Sequence, residues 1–263
     1  MKISEILVDS LKYPLDNDED FTNVIVLFGI PVVGLIIYIL FIGLAGAFGT
    51  SDAAAGVVAI GMIIMYLFYL VFYLLYPGYT LSVMDEGINQ SDVIPAINIG
   101  KNIVDTIKLA ILGFIYFIIP IIIGVAVLFL SGVVSGLLTS FSTNPSPLAL
   151  IGSMGIGILI VFVIFAFFEL LYTIAVLRMA RFDSLGAALS FGEVWADLKD
   201  IGIVKMIMLY AAIASITGFA LIGSLALALV FPYIGVFAIL LIVAPALSLF
   251  GAYAFGLLYS EIA

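Results

Sequence analysis

Residues 109–130 read LAILGFIYFIIPIIIGVAVLFL, a run with no charged side chain that follows directly on Lys108. Coiled as a helix at about 1.5 Å per residue, such a run crosses the ~30 Å hydrocarbon core of a bilayer. The pattern recurs along the chain. Residues 21–84, 109–177 and 206–263 contain no Lys or Arg. All eight basic residues fall on the polar segments between: Lys2 and Lys12, Lys101 and Lys108, then Arg178, Arg181, Lys199 and Lys205. Cationic side chains stay on the cytoplasmic face, so this distribution fixes how the chain is threaded.

Composition leads to the same class. Apolar residues make up 65% of the chain and charged residues 10%, with a mean hydropathy of +1.40. Soluble domains carry about 25% charged residues, and exposing this much apolar surface to water would cause aggregation. Hydrocarbon is the solvent for most of the chain. The net charge is −9, and of the 17 acids all but Asp52 and Glu169 share the basic side. Lys and Arg, not net charge, set orientation, so the threading stands. The acidic excess argues against a nucleic-acid partner.

Each basic-free stretch divides at turn-forming residues: Gly49-Thr50-Ser51-Asp52, the segment Thr139 to Pro147, and Phe231-Pro232-Tyr233. The spans are expected near 22–48, 55–84, 109–138, 148–177, 203–230 and 233–260. The predicted fold is an all-α membrane protein, one transmembrane domain over 1–263. Its six transmembrane helices form three hairpins, with both termini on the cytoplasmic side of the cell membrane. An amphipathic segment precedes each hairpin: Lys2–Lys12, Asp92–Lys108 and Asp183–Asp200. Each is expected to lie as a short helix in the cytoplasmic interface, with Trp195 as an interfacial anchor. Ala96-Ile97-Asn98-Ile99-Gly100 followed by Asp105 parallels Ala188-Leu189-Ser190-Phe191-Gly192 followed by Asp197. This raises a threefold internal repeat with units 1–84, 85–177 and 178–263.

Two stretches resemble a known family. Gly78-Tyr79-Thr80-Leu81-Ser82-Val83, with Gly87 beyond it, is similar to the Gly-Tyr-Leu segment of the DUF4013 proteins. Arg178-Met179-Ala180-Arg181, followed by Gly186-Ala187-Ala188-Leu189-Ser190-Phe191-Gly192-Glu193-Val194, resembles that family's Arg-Tyr-Ala…Ala-Phe-x-Phe-Gly-Glu-Val stretch. Met84-Asp85-Glu86 departs from it, standing where basic residues are common. The resemblance implies an integral membrane protein of a kind frequent in methanogenic archaea, and it brings no catalytic residues.

The chain has no Cys and no His, which removes thiolate, disulfide, ordinary zinc and imidazole chemistry together. No phosphate loop, dinucleotide fingerprint or hydrolase elbow is present, and no cofactor is expected. Asp16, Asp18 and Asp20 imitate the opening of a calcium loop, but Phe21 and Leu27 stand where Gly and Glu are needed. Glu169 is the one acid well inside an apolar run, about 13 Å along the helix from Arg178. An intramembrane acid costs a few kcal/mol to insert and marks a polar site, for which Lys205 is a candidate partner. Pro77, Gly78, Pro120 and Pro245 fall inside spans and are expected to kink or break them. Gly132-x-x-x-Gly136 and Ala252-x-x-x-Gly256 permit close helix contact.

The scarcity of polar groups in the spans favours a non-enzymatic scaffold or accessory subunit. Its partners would be the lipid bilayer and other membrane subunits or further copies of the chain. The alternative is a small transporter or channel with Glu169 in an intramembrane polar site, which requires a cavity reaching that residue. A lipid-acting enzyme would need a second buried carboxylate or a Ser/Lys pair, so no enzyme activity is expected.

Overall fold

The computed structural model describes residues 1–130 and 147–263. Among the described residues there is no strand. The helices are α1 (Ile3–Lys12), α2 (Asp18–Ala45), α3 (Asp52–Ile88), α4 (Ile99–Leu130), α5 (Pro147–Phe182), α6 (Leu185–Ala188), α7 (Phe191–Ile201), α8 (Ile203–Val230), α9 (Pro232–Ala238) and α10 (Ala244–Tyr259). A π-helical turn, Ile239–Val243, joins α9 to α10. Six helical segments are long and apolar enough to cross a membrane: Asp20–Phe48, Asp52–Ile88, Ile99–Leu130, Gly157–Phe182, Ile203–Val230 and Ile234–Tyr259. At most 22% of each apolar window is buried inside the chain, so these helices direct their hydrophobic surface outward, as hydrocarbon requires.

The expected breaks at Gly49–Asp52 and at Pro232 are present. Gly49 takes φ +63°, a left-handed conformation open to glycine, between a short 3-10 turn and α3. Pro232 opens α9, where its missing N–H costs nothing. The remainder of the segment Thr139 to Pro147, the end of the helix expected over 109–138 and Gly132-x-x-x-Gly136 lie outside the described residues.

Several helices outrun their apolar segments. The 37 residues of α3 make a rod of about 55 Å, well beyond the hydrocarbon thickness. Its last turns carry Asp85 and Glu86 and bury Tyr79, Leu81, Val83 and Ile88. The second expected amphipathic helix is not a separate element. Residues 91–98 are non-helical, and Ile99–Lys108 form the opening turns of α4. The reason is packing, because Asn102, Asp105 and Leu109 are buried against neighbours. The third amphipathic segment splits at Leu189-Ser190 into α6 and α7. Val194, Leu198 and Ile201, at i, i+4 and i+7, form the buried face of α7.

Pro77 and Pro120 do not break their helices, and α3 and α4 run through both. Pro31, which the sequence reading passed over, likewise lies inside α2. Pro245 stands in the first turn of α10, immediately after the π turn that absorbs its missing donor.

The centre of the bundle is α3, which packs against α2, α4, α5 and α10. Glycine makes two of these crossings possible. A Cβ on Gly87 would lie 2.6 Å from the Tyr253 carbonyl oxygen, and one on Gly256 would lie 2.3 Å from the Met84 carbonyl oxygen. A Cβ on Gly78 would lie 2.0 Å from the Asn102 carbonyl oxygen of α4. Backbones this close exclude any side chain. Near this end Tyr13 stacks on Tyr253 at 3.9 Å and donates its hydroxyl to the Val93 carbonyl at 2.8 Å. Burial pushes the Tyr13 phenol well above its ordinary value, so it remains a donor.

Gly256→Leu is expected to destabilise the detergent-solubilised chain by about 2 kcal/mol through overpacking at the α3–α10 crossing. Gly43→Ala, in open space, is expected to leave stability unchanged. Thermal denaturation followed by size-exclusion chromatography measures both.

Candidate intramembrane polar site

Glu169 lies on α5 with Tyr172, Thr173 and Val176 at i+3, i+4 and i+7, one stripe of the helix. That stripe lines a cavity of about 600 Å³. Thr106, Leu109, Ala110 and Gly113 present the same spacing from α4, and Pro77, Thr80 and Met84 line it from α3. Tyr210 of α8 and Phe255 of α10 complete the wall. A second cavity of about 580 Å³, apolar apart from Glu169 and Tyr210, opens between α5 and α8. Glu169 and Tyr210 thus form the partition between two spaces.

The polar groups are chained. The Tyr210 hydroxyl meets the Thr173 hydroxyl, and Tyr210 and the half-buried Glu169 carboxyl line the same cavity. Thr173 Oγ1 lies 3.0 Å from the Glu169 carbonyl oxygen. A tyrosine or threonine hydroxyl supplies one proton and accepts on its oxygen, so either member of the Thr173–Tyr210 pair can donate to the other. On the α3–α4 side the Gly78 N–H donates to Thr106 Oγ1 at 2.9 Å, and Thr80 Oγ1 donates to the Pro77 carbonyl at 2.7 Å.

Lys205 does not join Glu169. Its ammonium lies 2.6 Å from both oxygens of Glu261 and 3.0 Å from the Met1 carbonyl, which ties α8 to both ends of the chain. Burial pushes the Glu261 carboxyl up, but Lys205 and the N-terminal ammonium together hold it below its ordinary value. Pro77 lines the cavity, while Pro120 and Pro245 do not. Gly78 serves the α3–α4 crossing. Trp195 packs edge-on against Phe167 of α5, with ring centroids 5.9 Å apart, and Lys199 Nζ sits over the Trp195 ring, 4.9 Å from its centroid.

The sequence reading missed a second polar cluster. Arg178, 8% exposed, donates to Asp197 Oδ2 at 2.6 Å, to Glu193, and to the Ala187 carbonyl at 3.1 Å. Tyr259 donates to the same Asp197 oxygen at 2.6 Å. These contacts join α5, α6, α7 and α10. The available signal was Arg178 itself, a cation inside the apolar helical run Ile174 to Ala180. Nearby, Lys108 bridges buried Asp105 at 3.0 Å and Asp183 at 2.7 Å, and Arg181 donates to Asn89 at 3.0 Å.

Six helices long and apolar enough to cross a membrane mark a multi-pass membrane protein. The chain belongs to the family described as a protein of unknown function, DUF4013, whose match covers residues 67–252. That range holds α4 to α9 and nearly all of the cavity wall. No curated protein and no solved structure matches the chain.

Arg178→Met is expected to cost about 3 kcal/mol, because it leaves the half-buried Asp197 without its cation, measured by chemical unfolding in mixed micelles. The Lys205–Glu261 pair has a sign that pH can test. A lowered folded pKa stabilises above the unfolded carboxylate value of 4.5, and that stabilisation is lost as pH falls through the lowered folded value. The difference in melting temperature between the native chain and Glu261→Gln is expected to be full at pH 7 and to shrink as pH falls below 4.5 through the lowered folded value.

Proposed function

We propose that the chain is a small transporter or channel of the cell membrane, with its solute site at Glu169. The observation that carries this reading is the cavity. Six polar side chains, Thr80, Thr106, Glu169, Tyr172, Thr173 and Tyr210, come from four helices and line one space of about 600 Å³. Ligand sites have this size and this mixture of apolar wall with a few convergent polar groups. In a bundle held only for its packing, such groups would be dispersed. The basic end, with both termini, faces the cytoplasm in this reading, and α1 and α7 lie in that interface.

A scaffold role is the second reading, and one observation favours it. The apolar window of Ile203–Val230 has none of its residues buried, so α8 offers much of its surface to a partner subunit.

Because the chain lacks cysteine, single cysteines report on it without background. A membrane-impermeant thiol reagent is expected to label Ser51→Cys from outside intact cells and Asn98→Cys only after permeabilisation. Thr173→Cys and Thr106→Cys in the cavity are expected to react, while Ile118→Cys on the outer surface of α4 stays protected by lipid. Protection of both cavity positions would remove the transporter reading.

A further inference from the structure

Glu169 is the single charged side chain lining either cavity. Among the described residues, which include all eight basic side chains, it has no ion-pair partner. The bases that could neutralise it are engaged at the other end. Arg178 serves Glu193 and Asp197, Lys108 serves Asp105 and Asp183, and Lys205 serves Glu261. An ionised carboxylate in a low-dielectric setting needs a counter-charge, and a bound molecule can bring one. The rest of the wall fits the same molecule. Phe114, Tyr172, Tyr210 and Phe255 bring four aromatic rings to the cavity, and the Tyr210 and Phe255 centroids lie 4.8 Å apart. Aromatic faces attract cations and accept apolar groups equally well.

We propose that the cavity binds an organic ammonium cation, its nitrogen on the Glu169 carboxylate and its apolar body against these rings. The proposal rests on the reading of the cavity as a solute site. A lone water occupies about 30 Å³, so an inorganic cation with a water or two would leave most of the 600 Å³ unfilled. An anion meets only repulsion, and a neutral solute leaves the carboxylate uncompensated. A cation and a proton compete for one carboxylate, so binding of the cation expels the proton. The titratable groups facing Glu169 are Tyr172 on its own helix and Tyr210 on α8, while α3, α4 and α10 present none to the cavity. Affinity for the cation therefore rises with pH.

Isothermal titration of the full chain in detergent micelles tests this with benzyltrimethylammonium, neutral benzyl alcohol and benzenesulfonate. The ammonium is expected to bind at least tenfold more tightly than the other two, and more tightly at pH 8 than at pH 5. Glu169→Gln is expected to weaken it at least tenfold and abolish the pH dependence, and Tyr210→Phe to weaken it less. Selectivity and pH dependence are read on the native chain, so a poorly folded variant does not remove the test. Equal binding of benzyl alcohol, or no binding of the ammonium, overturns the ligand class while thiol labelling of Thr173→Cys still reports an open cavity. Absence of that labelling overturns the underlying solute site instead.

Discussion

A charge in hydrocarbon must meet an opposite charge or a set of donors, and this constraint arranges the whole molecule. Arg178 sits on a helix that is otherwise apolar for most of its length, yet it reaches two acids and a carbonyl from the short helices that follow. Those helices are placed by that demand as much as by their apolar faces. Asp197 shows this directly. Its spacing puts it on the polar side of an amphipathic helix, where water would be expected. Instead it turns inward to Arg178 and Tyr259.

The same end of the bundle is where close packing is concentrated. Gly78, Gly87 and Gly256 bring α3 within backbone contact of α4 and α10, and the stacked Tyr13–Tyr253 pair seals α1 against them. Away from that end the helices turn their surfaces outward to lipid. The Glu169 cavity opens among α3, α4, α5, α8 and α10.

Much of this was legible in the residues. Continuous apolar runs and the confinement of Lys and Arg to alternate segments give membrane-length helices, because insertion depends on local hydropathy and charge. Gly49 and Pro232 mark breaks for local steric reasons, and Gly256 marks a contact. Glu169 stands out because nothing else like it lies in an apolar run. Its partners do not follow from spacing, since Tyr210 is on a helix whose rotation is set by tertiary contacts. Lys205, the cation nearest Tyr210 in sequence, sits more than a helical turn away and turns toward Glu261 instead. The amphipathic pattern of 92–108 reads as a free interfacial helix, but the burial of Asn102 and Asp105 joins its second half to α4. Local periodicity cannot distinguish a side chain facing water from one facing a polar neighbour.

The π turn at Ile239–Val243 holds one residue more than an α-helical turn, and it divides the allegiance of the last span. The part before it packs on α8, and the part after it packs on α3. Removing a single residue there would rotate Ala244–Tyr259 by about 100° about its axis. Tyr253 would leave Tyr13, Gly256 would leave Gly87, and Phe255 would swing out of the cavity wall. A segment that looks like featureless aliphatic sequence thus sets the phase between two halves of one helix, and its length matters more than its composition.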